Sequence, residues 1–124
     1  MATTKPKLLV IDDEEGVRTA MKLLLEEEYD IVFAENGDEG IKIVSNPNDI
    51  DLITVDMKMP GKNGIETIVE IRKINKTIPL VVVSGWDAKE VMYDSIQSGA
   101  NGFITKPLKQ DNVLKELLNA RKAK

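Results

Sequence analysis

Residues 79–84 read PLVVVS, and how this stretch folds decides the architecture of the whole chain. A leucine followed by three valines leaves no polar position for a solvated face. Strict alternation would mark a strand with one wet side, whereas an unbroken β-branched run of this length marks a strand covered on both faces of a parallel sheet. Parallel strands are joined by crossovers, usually helices, so helical patterns are expected on either side. They are present. Residues 65–75, IETIVEIRKIN, place Ile65, Ile68, Val69 and Ile71 at helical spacing, and residues 88–99, AKEVMYDSIQSG, form a second helix with Gly99 as its C-terminal stop.

The alternation continues outward to both ends. KLLVI (7–11) is a strand, and residues 17–28 form a helix with Val17, Ala20, Met21, Leu24 and Leu25 on one face. DIVFA (30–34) is a strand, followed by the turn ENG and a helix over 38–45. DLITVD (51–56) is a strand leading into the loop MKMPGKNG, where Pro60 and Gly61 supply the turn. NGFIT (101–105) is the fifth strand, and residues 112–124 form the last helix, whose terminal bases suit the negative end of its dipole. Five strand–helix units without linker or repeat predict one doubly wound α/β domain over residues 1–124, a five-stranded parallel sheet with helices on both faces.

Composition narrows the chemistry. The chain has 124 residues, enough for one core and too few for two. It contains no Cys, which excludes disulfides and thiolate metal sites and fits a reducing cytoplasm. It contains no His, which removes imidazole ligands, histidine bases and Ser-His triads together. No apolar run reaches the ~20 residues of a membrane span, and MATTKPK lacks the apolar centre of a signal peptide. A net charge of −4 argues against nucleic acid as a direct partner.

In open parallel sheets ligands bind beyond the carboxyl ends of the strands, where strand order reverses. Strand 1 ends in Asp12-Asp13, strand 3 in Asp56, strand 4 in Ser84, and strand 5 in Thr105-Lys106-Pro107. Three carboxylates, a hydroxyl and an ammonium therefore converge on one edge. A lone Asp before a helix is usually an N-cap. Two consecutive Asp need a further reason, and a magnesium ion with hard oxygen ligands supplies one. Glu14 and Glu15 are read as the solvated first turn of a helix, complementing its dipole. With no His or Cys, the available nucleophile is a carboxylate oxygen, which attacks phosphorus to give an aspartyl phosphate. Both reactants are anionic, so a divalent cation and a lysine are needed to neutralise them.

These motifs together resemble the receiver domain of two-component response regulators, chemotaxis regulators among them. The resemblance is carried by DD at 12–13, VDMKMPGKNGIE around Asp56, VVVSG ending at Ser84-Gly85, and GANGFITKP with Phe103, Lys106 and Pro107. It implies a flavodoxin-like sheet of order 2-1-3-4-5. It implies that Asp56 accepts a phosphoryl group from the phosphohistidine of a sensor histidine kinase or histidine phosphotransfer protein. Asp13, Asp56 and the main-chain carbonyl of Lys58 would bind Mg2+ directly, with Asp12 acting through water. Ser84 would hydrogen-bond the phosphoryl oxygen, Lys106 would pair with it, and Phe103 would turn inward as Ser84 moves.

The chain departs from the family's usual pattern at four positions. Ser84 stands where Thr is more usual and keeps the hydroxyl. Phe103 stands where Tyr is frequent, leaving ring packing alone. Lys58 brings a long cationic side chain to the site mouth, and Asn63 replaces a commonly acidic residue while still serving as an N-cap. Such a domain is a phosphorylated switch and turns over no external substrate. Its output passes to a downstream protein target or to a C-terminal output domain. Trp86, which directly follows Ser84-Gly85, is expected over the mouth of the acidic crevice. Two alternatives remain at this point. A haloacid-dehalogenase-type phosphatase would use Asp12 as nucleophile, but it carries a second Asp two residues later, where this chain has Glu14. A receiver-like binding module would not be phosphorylated at all.

Overall fold

The computed structural model describes residues 5–46, 50–57, 63–85 and 89–122. In chain order these form β1 (Lys7–Ile11), α1 (Glu15–Leu25), β2 (Asp30–Ala34), α2 (Gly37–Ser45), β3 (Ile50–Asp56), α3 (Gly64–Ile74), β4 (Leu80–Ser84), α4 (Lys89–Ser98), β5 (Gly102–Thr105) and α5 (Gln110–Lys122). All strand pairs are parallel and the sheet order is β2-β1-β3-β4-β5. This is the doubly wound architecture and the strand order that the sequence leads one to expect. No described helix is long and apolar enough to cross a membrane.

The unbroken apolar run of β4 is explained by its two covers. All five residues of β4 are buried. Val81 and Val83 join Leu8, Val10, Leu52 and Ile104 in a cluster closed by Met21 and Leu25 of α1 and Val113 and Leu117 of α5. Leu80 and Val82 face the other way, with Leu9, Ile11, Ile53 and Val55 against Ile68 and Ile71 of α3. Side chains that alternate with period two thus serve two cores, each fully buried Leu, Ile or Val contributing roughly 1.5–3 kcal/mol.

Local chemistry sets the helix ends. Asn63 caps α3 reciprocally: its side chain accepts from Glu66 N at 2.9 Å, and Glu66 Oε1 accepts from Asn63 N at 2.9 Å. Gly99 ends α4 as expected, at φ 121°, a conformation that favours glycine. Its N–H bonds back to Ser95 O, and Arg72 Nη2 donates to its carbonyl at 2.7 Å, tying α4 to α3.

Helix α1 differs from the expected span of 17–28. It begins two residues earlier, because Gly16 falls in the first turn, where backbone N–H groups need no intrahelical partner. It stops at Leu25, three residues earlier than expected. Glu26, Glu27 and Glu28 would place three acids at the negative end of the dipole. Instead Glu28 N and Tyr29 N both bond to Leu25 O, and the chain turns so that Tyr29 is buried.

Candidate functional site

Register brings the strand ends into line. Ile11 pairs with Val55, so Asp12 is the next residue on β1 as Asp56 is on β3, and Asp56 pairs with Val83. By alternation Asp12 continues the face of Leu8 and Val10, and Asp56 that of Leu52 and Thr54, so both emerge above the core covered by α1 and α5. Both are buried, at 2% and 4% exposure. Carboxylates this buried require partners.

Several partners are visible. Asp12 Oδ1 accepts Glu14 N at 2.9 Å, a local turn that starts α1, and Arg18 Nη1 pins the Asp12 carbonyl at 2.7 Å. Lys106 Nζ lies 3.9 Å from Asp56 Oδ1 and 3.7 Å from Glu14 Oε1. Its backbone is held in turn, since Lys106 N donates to Ser84 O at 2.7 Å. One oxygen from each of Asp12, Asp13, Glu14 and Asp56 lies within 4.8 Å of the others. Burial pushes the Asp12 carboxyl above its ordinary value. The Glu14 amide and Lys106 oppose that shift, while the charges of Asp13 and Glu14 add to it.

Among the described residues, the Lys106 ammonium and the Arg18 guanidinium on the Asp12 carbonyl face four acids, so negative charge is in excess. Asp13 Oδ1 is buried and has no hydrogen-bond partner among the described residues. A buried acceptor in that condition is costly until a cation or donor meets it. Hard oxygen donors, one of them orphaned, fit a divalent cation of the magnesium type.

The structure therefore brings together Asp12, Asp13, Asp56 and Lys106 as expected. It adds Glu14, read from sequence as a solvated helix residue, whose side chain, though 64% exposed, reaches Lys106. The signal available for it was the third acid in a row after β1, on the same sheet edge as the lysine of TKP. Ser84 is buried at the end of β4, where its carbonyl accepts Lys106 N; by alternation its side chain falls on the face of Leu80 and Val82, against which Phe103 packs, and not on the face of Asp56. Lys58, Pro60, Gly61 and Trp86 lie outside the described residues.

A crevice of buried acids and a lysine at the switch point of a doubly wound sheet defines a class of anion- and cation-handling α/β domains. Comparison with known proteins makes the class specific. The family model described as the response regulator receiver domain matches residues 8–118. The chain is 33% identical over 109 residues to the chemotaxis protein CheY of Halobacterium salinarum, covering 87% of this chain and 90% of that protein. It is 34% identical over 116 residues to the nitrate/nitrite response regulator protein NarL of Escherichia coli, covering 91% of this chain and 53% of that one. A receiver domain structure from Clostridium thermocellum superposes with a TM-score of 0.87 at 30% identity, covering 95% of both chains. The chain belongs to the response regulator receiver domain family. It spans nearly all of the CheY relative and about half of the NarL one.

Proposed function

We propose that Asp56 accepts a phosphoryl group from the phosphohistidine of a sensor histidine kinase or histidine phosphotransfer protein, and that this switches a surface read by a downstream protein or an attached output domain. One observation carries the reading: the carboxylate at the end of the central strand is buried, faces a lysine ammonium at 3.9 Å, and is ringed by further acids. An Asp56 oxygen attacks phosphorus, the new O–P bond forms as the N–P bond breaks, and the electron pair leaves with the imidazole nitrogen. Lys106 neutralises charge on the transferring group, and the Ser84 hydroxyl donates to one of its oxygens. Phe103, opposite Val82 on the neighbouring strand β5, then repacks against the face that carries Ser84, passing the change to the surface.

Asp13 and Asp56 would hold a magnesium ion, with Asp12 beside them; Lys58, whose main-chain carbonyl would join them, lies outside the described residues. When bound, the ion supplies charge neutralisation to the phosphoryl oxygens.

Incubation with acetyl phosphate and magnesium tests the reading. The parent is expected to be labelled and Asp56→Asn is not, and chelator should stop labelling without unfolding the domain. Undiminished labelling of Asp56→Asn would remove the claim.

A further inference from the structure

We propose that Glu14 is a positioning residue that competes with Asp56 for Lys106 and so slows entry of the phosphoryl group; this rests on the roles given above to Asp56 and Lys106. The ammonium lies 3.7 Å from Glu14 Oε1 and 3.9 Å from Asp56 Oδ1, shared between the two without closing on either. Both of its anchors are fixed. The Glu14 backbone is set by its N–H bond to Asp12 Oδ1 and by its carbonyl, which accepts Val17 N and Arg18 N as α1 begins. The Lys106 backbone is set by its bond to Ser84 O. Among the described residues Glu14 and Asp56 are the carboxylates that ion-pair with Lys106, so where the ammonium rests is a matter of side-chain reach between these two, with Asp12 adding its attraction on the Asp56 side.

The competitors are unequal. Asp56 is buried, whereas the Glu14 side chain is 64% exposed, so its hold on Lys106 is weakened by water. Glu14 consequently biases the ammonium and does not capture it. An incoming phosphoryl group needs Lys106 turned toward Asp56, and each departure from Glu14 costs part of the exposed pair. Releasing that restraint should speed phosphorylation by roughly two- to fivefold, the range an exposed ion pair can shift.

Charge alone could produce a similar gain, since removing an acid from the mouth eases approach of an anionic donor. Two variants separate tether from field. Glu14→Gln removes both charge and pairing, while Glu14→Asp keeps the charge and shortens the arm by one methylene, drawing the carboxylate back from an ammonium already 3.7 Å away. With saturating magnesium and acetyl phosphate as donor, the tether predicts that both variants are phosphorylated faster than the parent. The Lys106 ammonium signal in 1H–15N spectra of the unphosphorylated protein should also move in both. Parent-like rates in Glu14→Asp beside a faster Glu14→Gln would assign the effect to field and overturn the proposal. So would an unchanged Lys106 ammonium signal in both variants. A parent that takes no label at all would instead strike the phosphoacceptor reading of Asp56, and the ammonium spectra keep the two failures apart.

Discussion

Replacing Asp12 by Asn should stabilise the metal-free protein at neutral pH, although it removes a group from the functional site. Asn keeps the oxygen that accepts Glu14 N and loses only the charge. Asp12 shares a 4.8 Å cluster with Asp13, Glu14 and Asp56, and at an effective dielectric near 20 two charges at that separation repel by about 3.5 kcal/mol. Lys106 offsets part of this repulsion and the solvent exposure of Asp13 and Glu14 screens their shares, leaving a net of about 2 kcal/mol. With an unfolding entropy near 2.1 cal/mol/K per residue, that corresponds to a gain of about 8 °C in Tm. The pH dependence has a definite sign. The Asp12 carboxyl is raised above its ordinary 3.8, chiefly by burial. Below 3.8 it is neutral in both states and the penalty is absent. As pH rises through the raised folded value, the unfolded chain ionises first and the parent loses stability relative to the variant. Magnesium at a hundred times its dissociation constant should add about 2.7 kcal/mol to the parent and less to Asp12→Asn, closing the gap. Circular-dichroism melts in chelator between pH 3.5 and 8, repeated with magnesium, measure all three effects. A variant no more stable than the parent at pH 7 in chelator, or a gap independent of pH, would refute the reasoning.

Other changes probe the supports of the site. A Cβ on Gly64 would lie 2.8 Å from Met57 Cα and 2.9 Å from the Asp56 carbonyl, backbone that cannot give way cheaply. Gly64→Ala should cost about 1–3 kcal/mol in denaturant unfolding and lower labelling by acetyl phosphate, and an unchanged midpoint would contradict this packing. Thr54 Oγ1 is buried beneath Asp56 with no partner among the described residues. Thr54→Val should therefore be neutral or stabilising by up to about 1 kcal/mol, and a clear loss of stability would show that the hydroxyl is satisfied after all. Lys106→Ala should accept the phosphoryl group yet transmit poorly, so that NMR shifts of Ser84 and Phe103 move less on phosphorylation than in the parent. Equal shifts in the two proteins would count against Lys106 as the link.

The sheet was legible because burial on both faces writes itself into composition: the run before Ser84 admits no other strand environment. The acids at the ends of β1 and β3 were legible for a similar reason, since charges directly after apolar strands fall on one edge once the strands are parallel. Gly99 and Asn63 carried their cap chemistry in the residue itself. The limits of α1 were less readable, because apolar spacing runs on through Leu24 and Leu25 and says nothing of the dipole penalty of the three glutamates beyond. The sequence reads Glu14 as a solvated helix residue because its contact with Lys106 depends on where a lysine some ninety residues later places its ammonium, which is decided by the β4–β5 register and the bond from Lys106 N to Ser84 O. That Asp13 Oδ1 and Thr54 Oγ1 are buried with no partner among the described residues is likewise a tertiary fact, set by how the strands and the loop after β1 pack.

Mapping the acyl phosphate tests the central claim most directly. The chain is incubated with acetyl phosphate and magnesium, the acyl phosphate is trapped by borohydride reduction, and the modified residue is located by tandem mass spectrometry. The account predicts one modified position, Asp56, lost when magnesium is chelated. Modification at Asp12 would instead indicate dehalogenase-type chemistry, and no modification under conditions that label an authentic receiver would leave a binding module; either result would contradict the assignment of Asp56 as phosphoacceptor.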